Sequence, residues 1–194
     1  FNTGLSSLEL FKKNFFKSKD YLAKKFRIDF SKPLILLIQH SVTWQVGESS
    51  WQISQTLKAL NKLKLQTIAI YPCSDPGYEP IIKRYNNFKN KIFFIVYKNL
   101  ILDDFYSFHN YSTLILGNSS CGILECGFFK KYAINLGIRQ EGRFCENNVY
   151  HLPHNSNKIY NAVKKIIKKK KIKNKITLYG SGNSAKKIVN IIIN

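Results

Sequence analysis

A chain of 194 residues, 44% of them hydrophobic, is long enough for one substantial α/β core, and no apolar run in it approaches the length that spans a bilayer. The formal charge of +20, from 31 Lys and Arg against 11 Asp and Glu, raises nucleic acid or an anionic membrane as partners. Against both, the basic residues are spread over most helices and loops, the one dense run, Lys168–Lys171, sits at a helix end where cations suit the dipole, and the aromatics fall inside apolar strand and helix patterns.

Cys73, Cys121, Cys126 and Cys145 form no CxxC and meet no histidine at zinc spacing, so no metal is expected, and free thiols in a reducing, cytoplasmic setting are. No methionine occurs and residues 1–10 lack the basic start and apolar block of a signal peptide. The natural start is expected upstream of Phe1, with this chain as the C-terminal part of a longer protein.

In chain order, residues 1–30 read as a hinge and linking helices. Leu8, Phe11, Phe15 and Phe16 space one helix, and Tyr21, Leu22, Lys25 and Phe26 a second, capped by Ser18 with Asp20 nearby. Pro33 opens a continuous apolar strand, Leu34–Gln39, of the kind covered on both faces. His40 stands at its carboxyl end, where open α/β sheets gather ligands; it is a binding candidate or a plain loop histidine. Ser49 or Ser50 is expected to cap a helix over Trp51–Leu63. Thr67–Tyr71 is the next strand, Pro72 to Gly77 a turn cluster containing Cys73 and Asp75, and Tyr78–Phe88 a helix. Ile92–Tyr97 is the third strand, followed by a helix with Phe105 and Phe108 on its apolar face.

The stretch Leu116–Arg143 carries the chemistry. A short strand, Leu114–Leu116, turns at Gly117 and Asn118 through Ser119 and Ser120 into a helix expected over Gly122–Phe129. The first turn of such a helix has free N–H groups and a positive dipole end, so it suits an anion. Ser119 or Ser120 is the expected N-cap, and the other hydroxyl would face a phosphate. A second strand, Ala133–Leu136, leads through Gly137 to Arg139 and Arg143, whose forks suit phosphate oxygens. The same pattern equally describes a capped helix with two surface arginines. Cys121 at the helix start has some nucleophile character by position, with no histidine visible as its base. Beyond it, Asn148–Leu152 is a short strand, His151 and His154 read as surface or loop groups, and Asn157–Lys168 is a helix. The glycine-rich Tyr179–Asn183 reads as structural, before a last helix over Ser184–Ile193. Strands alternate with helices without internal repeat, which predicts an α/β, Rossmann-like, doubly wound parallel sheet.

Asn118-Ser119-Ser120-Cys121-Gly122, then Glu125, then Asn135-Leu136-Gly137, then Arg139-Gln140 and Gly142-Arg143, resemble the UDP-N-acetylglucosamine 2-epimerase family. Their order is most similar to its hydrolysing branch, the sialic-acid or legionaminic-acid type. The resemblance implies the second domain of a glycosyltransferase-B-like fold of two Rossmann-type domains. Residues 31–178 would then be the nucleotide-binding domain, and 179–194 a helix crossing back to the N-terminal domain. It also implies conversion of UDP-N-acetylglucosamine and water to N-acetylmannosamine and UDP, by elimination of the nucleotide and hydration of a glycal-like intermediate. Hydrolysing relatives that act on UDP- or GDP-linked N,N′-diacetylbacillosamine are alternatives. Interconverting relatives carry His-Arg-x-x-Asn where this chain has His40-Ser41-Val42-Thr43.

By the same resemblance His40, Asp75, Ser119, Ser120, Gly122, Glu125 and Arg139 bind the nucleotide sugar, Glu125 through the ribose hydroxyls. Cys73, Asn118 and Arg143 are further candidates. Cys73 stands where the family typically has Asn, and Ser41 where it usually has Pro. Tyr97 and Asn99 are candidates for the base. No cofactor and no metal are expected, because cations and N–H groups already face the diphosphate. The proton-transfer carboxylates are expected in the N-terminal domain, so no catalytic residue is assigned in this chain. Expected partners are the nucleotide sugar, that N-terminal domain and further copies in a homo-oligomer, with neither nucleic acid nor membrane. A basic nucleic-acid-binding module is the rival of a different class.

Overall fold

A continuous five-residue apolar run, Leu34–Ile38, forms the central strand β1, and all five side chains are buried, as a strand covered on both faces requires. The computed structural model describes residues 1–12, 16–174, 176 and 178–193; Phe15, one of the positions spacing the first expected helix, lies outside them. Five further strands follow: β2 (Gln66–Ile70), β3 (Phe94–Tyr97), β4 (Leu114–Gly117), β5 (Tyr132–Leu136) and β6 (Val149–Leu152). They pair in the order β3-β2-β1-β4-β5-β6, every neighbour parallel. The predicted doubly wound sheet is therefore present, and its order reverses between β1 and β4, where such sheets open a crevice at their carboxyl ends.

The helices are α1 (Leu8–Lys12), α2 (Lys19–Phe26), α3 (Ser49–Leu63), α4 (Tyr78–Phe88), α5 (Leu102–Tyr111), α6 (Cys121–Leu124), α7 (Ser156–Ile166) and α8 (Ser184–Ile193). Alternate strand residues divide between two faces. Ile35, Leu37, Leu114 and Leu116 pack with Ile53 and Leu60 of α3, Ile81 of α4 and Val163 of α7. Leu34, Leu36, Ile38 and Ile115 pack with Leu22 and Phe26 of α2 and Phe108 of α5. Among the described residues no helix is long and apolar enough to cross a membrane.

Ser18 caps α2 as expected, its Oγ accepting from the Tyr21 amide at 3.1 Å. Two other expectations fail for local reasons. Neither Ser49 nor Ser50 caps α3. A 3-10 turn over Thr43–Glu48 runs straight into it, so the chain is already helical at Glu48, and no side chain makes a cap bond there. The helix expected over Gly122–Phe129 is a single turn, Cys121–Leu124. The Gly127 carbonyl, which a longer helix would use, instead accepts from Lys130 at 3.0 Å and from Ile176 of the C-terminal strap at 3.1 Å.

The joint between β1 and β4 outlasts their ladder. Gly117 has φ +133°, and a Cβ there would lie 2.0 Å from the Ile38 carbonyl oxygen, so only glycine fits. Asn118 is fully buried. Its Oδ1 accepts from the His40 amide at 2.7 Å and its Nδ2 donates to the His40 carbonyl at 2.9 Å. Asn118→Ala leaves both His40 main-chain groups unpaired, and should lower unfolding free energy by about 2–4 kcal/mol in urea titrations. Gly117→Ala should lose at least as much, measured the same way, because the clash is with backbone.

His109 of α5 is buried with both ring nitrogens unpartnered among the described residues, its ring 4.6 Å from Phe105 and 5.5 Å from Phe129. Burial holds its pKa down to about 3; burial, then the Arg139 charge, holds that of His40 to about 4. Both folded values lie below the ordinary 6.5. The unfolded chain therefore takes up protons first, and stability is whole above that pH. It falls as pH drops below it, by up to about 1.4 kcal/mol per unit per histidine, and levels off only below the folded values. Urea midpoints at pH 7, 5.5 and 4.5 should fall steadily, and His109→Phe should flatten that slope.

Candidate functional site

Four strand ends converge at the crevice. β1 delivers His40 and Ser41, the loop after β2 delivers Cys73 and Asp75, β4 delivers Asn118 to Ser120, and β5 delivers Arg139, Gln140 and Arg143. Their side chains and main chain are cross-linked. Ser41 Oγ donates to the Asp75 carbonyl at 3.2 Å, and the Asp75 carboxylate faces Arg139 Nη2 at 3.5 Å. The Asn118 carbonyl accepts from Arg139 Nη1 at 3.2 Å and Gln140 Nε2 at 2.9 Å. Together with Val42, Thr43 and Trp44, the residues Asp75, Ser120, Arg139, Gln140 and Arg143 wall an open cavity of about 260 Å³. Two larger clefts, of about 640 and 570 Å³, lie along the β3 edge and at the amino ends of the strands, away from all of these residues.

His40 is the best-defined group at this end. Its Nδ1 accepts from the Cys73 amide at 3.0 Å, which assigns the ring proton to Nε2. Burial, then the Arg139 cation, depresses its pKa to about 4 against a smaller pull from Asp75. It is thus a neutral imidazole with a fixed tautomer and one N–H to offer. Arg139 spends two nitrogens on Asn118 and Asp75, and its fork holds further donors. Arg143 is exposed on the cavity wall.

The serines sit differently from the expectation. Ser120 occupies the position before α6 with a helical backbone and no side-chain cap bond, while Ser119 Oγ accepts a weak bond from the Cys121 thiol at 3.2 Å. Ser120 thus holds the expected N-cap position but caps nothing with its side chain, because the turn from β4 enters α6 already helical. The Asn118 and Ser119 amides both go to the Ile38 carbonyl, at 3.1 and 3.3 Å. Among the described residues, no backbone carbonyl accepts from the Ser120 or Cys121 amide. Two orphan amides and the Ser120 hydroxyl are what remain of the expected helix-start donors. Cys121 is buried and its thiol pushed up to about 12, which leaves it without nucleophile character.

Gly122 and Glu125 stand off the cavity wall. The Gly122 amide is taken by the Ser119 carbonyl at 3.2 Å, and a Cβ there would meet Ala133 and Ile115 at 3.6 and 3.7 Å, so its bare face lies on the sheet. Glu125 Oε1 accepts from Ser7 Oγ at 3.3 Å, and its other oxygen is buried without a partner among the described residues; burial raises its pKa, opposed by Ser7. Cys73 acts through its amide, with an exposed thiol. The Tyr97 ring packs on Phe26 at 5.1 Å, on a face of the sheet rather than at its tip. His151 is exposed, between Asn135 Nδ2 at 3.1 Å and Cys145 Sγ at 3.2 Å. His154 lies in the loop between β6 and α7, as read, but is not at the surface: it is buried beneath Gly137, where a Cβ would lie 2.4 Å from its Nε2. Among the described residues no cluster of His, Cys, Asp and Glu could hold a metal ion. Sequence reasoning missed Thr43, Trp44 and Gln140 as wall residues; the signal for Trp44 was a large aromatic just past the strand-end histidine.

A family model described as UDP-N-acetylglucosamine 2-epimerase matches residues 1–193. The UDP-N,N′-diacetylbacillosamine 2-epimerase (hydrolyzing) of Legionella pneumophila is 27% identical over 175 residues, covering 90% of this chain and 46% of that protein. The GDP/UDP-N,N′-diacetylbacillosamine 2-epimerase (hydrolyzing) of Campylobacter jejuni is 32% identical over 157 residues, covering 77% of this chain and 40% of that protein. The chain spans less than half the length of these relatives. Among solved structures, the UDP-GlcNAc 2-epimerase of Neisseria meningitidis bound to UDP-GlcNAc superposes with a TM-score of 0.74 at 16% identity, covering 98% of this chain and 54% of that one. The ADP-heptose heptosyltransferase II of Escherichia coli reaches 0.58 at 9% identity, over 78% of this chain and 52% of that one. The fold is thus shared with epimerases and glycosyltransferases of the glycosyltransferase-B-like class, and the match over residues 1–193 is narrower: the chain belongs to the UDP-N-acetylglucosamine 2-epimerase family.

Proposed function

We propose that the chain is the nucleotide-sugar-binding half of a hydrolysing 2-epimerase, seating the diphosphate of a UDP- or GDP-linked 2-acetamido sugar between the ends of β1, β4 and β5. The observation that carries this reading is the convergence of the Arg139 and Arg143 forks and Ser120 on one open cavity, with the neutral His40 imidazole buried at the adjoining β1 end, close enough to Arg139 and Asp75 to feel both charges. In the reaction, the bond from the anomeric carbon to the diphosphate breaks and the C2 proton leaves, giving a glycal. Water then adds OH at C1 and H at C2 from the opposite face, so nucleotide sugar and water yield the C2 epimer and free nucleoside diphosphate. Negative charge builds on the departing diphosphate, and donors fixed there lower the barrier without reorganising.

Asp75 is the one carboxylate on the cavity wall, and it is committed to Arg139. Proton transfer at C2 is therefore assigned to carboxylates of a second domain, for which the greater length of the relatives leaves room. Residues 1–30 and 179–194 are read as the crossings to it. Leu5 and Tyr179 are joined main chain to main chain at 2.7 Å, and Ile188, Val189, Ile192 and Ile193 of α8 are exposed. For the sugar, UDP-N-acetylglucosamine yields N-acetylmannosamine for sialic-acid-type synthesis. N,N′-diacetylbacillosamine is the second reading, favoured by the names of the Legionella and Campylobacter relatives.

Calorimetric titration with UDP should saturate, and Arg139→Ala should weaken it by about 10- to 100-fold, the worth of one or two charge-assisted bonds. A random oligonucleotide at two salt concentrations is the control. Binding of the oligonucleotide alone, with a steep salt dependence, would overturn the assignment in favour of a nucleic-acid module. Incubated with either UDP-sugar, the chain alone should release no free sugar.

A further inference from the structure

The opposite end of the sheet is also built for an anion. The cleft of about 570 Å³ lies at the amino ends of β1, β4 and β5, where the chain enters from α2, α5 and the turn after α6. Six lysines line it, Lys19, Lys32, Lys130, Lys131, Lys169 and Lys171, and no Asp or Glu does. Of the six, only Lys32 has a carboxylate partner among the described residues, Asp29 at 3.2 Å.

Lys131 is the residue that needs explaining. Its backbone is pinned three ways: its amide donates to the Cys126 carbonyl at 3.0 Å, and its own carbonyl accepts from Asn148 Nδ2 at 2.9 Å and the Cys126 thiol at 3.0 Å. The preceding Lys130 takes a left-handed φ of 58°, which a side chain rarely adopts, at the turn that brings Lys131 into the cleft lining. The Lys131 side chain is half-buried, with neither an ion pair nor a hydrogen bond among the described residues. Burial, then repulsion from Lys171 and Lys19 against a pull from Cys126, brings its pKa down to about 8. A half-buried cation among like charges is unfavourable unless something anionic completes it.

The surroundings fix the other charges. Tyr132 OH donates to the Lys170 carbonyl at 3.3 Å, which ties the lysine-rich segment after α7 to the start of β5. Lys19 Nζ stands 5.6 Å from the Tyr111 ring and 6.0 Å from Phe30. The six lysines thus line a concavity rather than forming a stripe. A duplex needs a long track and a membrane a flat face, and neither matches a concavity with a half-buried lysine in its lining.

We propose that this cleft binds an oligophosphate, a chain of two or more phosphates, free or carried by a nucleotide, with Lys131 as its half-buried anchor. The test uses the 194-residue chain and, in parallel, its Arg139→Ala variant, which impairs the crevice site without adding a competing nucleotide, so that the result stands whether or not UDP binds at the other end. Calorimetry with inorganic tripolyphosphate should show a site in both, weakened about tenfold in Lys131→Gln and in the exposed Lys171→Gln. Both variants should melt like the parent, and Lys171→Gln decides the matter should Lys131→Gln fold poorly. Titration with ATP separates the two sources: tighter binding than tripolyphosphate marks a nucleotide, equal or weaker binding a free chain. No tripolyphosphate binding in either background, or binding indifferent to Lys171→Gln, would overturn the proposal. So would an oligonucleotide that binds while tripolyphosphate does not.

Discussion

The crevice depends on one buried amide. Where a doubly wound sheet reverses order, its two halves splay and the main-chain groups beyond the last ladder pair lose their partners. Here the Asn118 side chain takes up both His40 main-chain groups, extending the pairing of β1 and β4 by one step with a side chain in place of a strand. The same residue's carbonyl then receives Arg139 and Gln140 from β5. One side chain and one carbonyl thereby hold three strand ends in register. The fourth end joins through Asp75, bonded to Ser41 by its carbonyl and facing Arg139 by its carboxylate. Gly117 is a precondition, since any Cβ would drive the two strands apart just where Asn118 must reach across.

That geometry decides the electrostatics. Pinned by Asn118 and capped at Nδ1 by the Cys73 amide, the His40 ring has one orientation and one tautomer. Its burial and the neighbouring guanidinium keep it neutral, so it donates without adding a charge that would repel Arg139. Asp75 does the converse, compensating Arg139 in part while remaining substantially exposed. The crevice presents a fixed neutral donor and a permanent cation, Arg139, held in place by its neighbours, the arrangement that favours a group whose negative charge grows during reaction over one whose charge is constant.

Much of this was legible in the sequence because it depends on composition over short windows. The run Leu34–Ile38 could only be a doubly covered strand, Tyr78–Phe88 has helical spacing with a glycine before it, and the residues from Asn118 to Arg143 carry the family pattern. What was not legible depends on partners distant in the chain. The single-turn α6 is stopped by Ile176, 49 residues beyond Gly127 in sequence, which claims a carbonyl that no local propensity reveals. The Cys73 position looked like a lost contact because its side chain had changed, whereas its main-chain amide, indifferent to that change, makes the bond to His40. Asn118 ranked below its serine neighbours for the same reason, since its partner lies 78 residues away. The expected caps at Ser49 and Ser120 failed because both helices are entered from backbone already helical, which leaves no extended residue to present a capping oxygen.

The chain's large positive charge is distributed by kind as well as by amount. At the carboxyl end of the sheet the cations are arginines, and Arg139 is fixed by a carbonyl and a carboxylate, so its planar fork is oriented before any ligand arrives. At the amino end they are lysines, of which only Lys32 has a carboxylate among the described residues, with rings rather than acids holding Lys19 and Lys169. A guanidinium held in one orientation suits a diphosphate whose geometry must be matched as it departs. Ammonium groups on flexible stems suit an anion that has only to be neutralised. The two ends of one sheet thus differ in how their cations are held, and that difference follows from whether the cation's partners are already built into the fold.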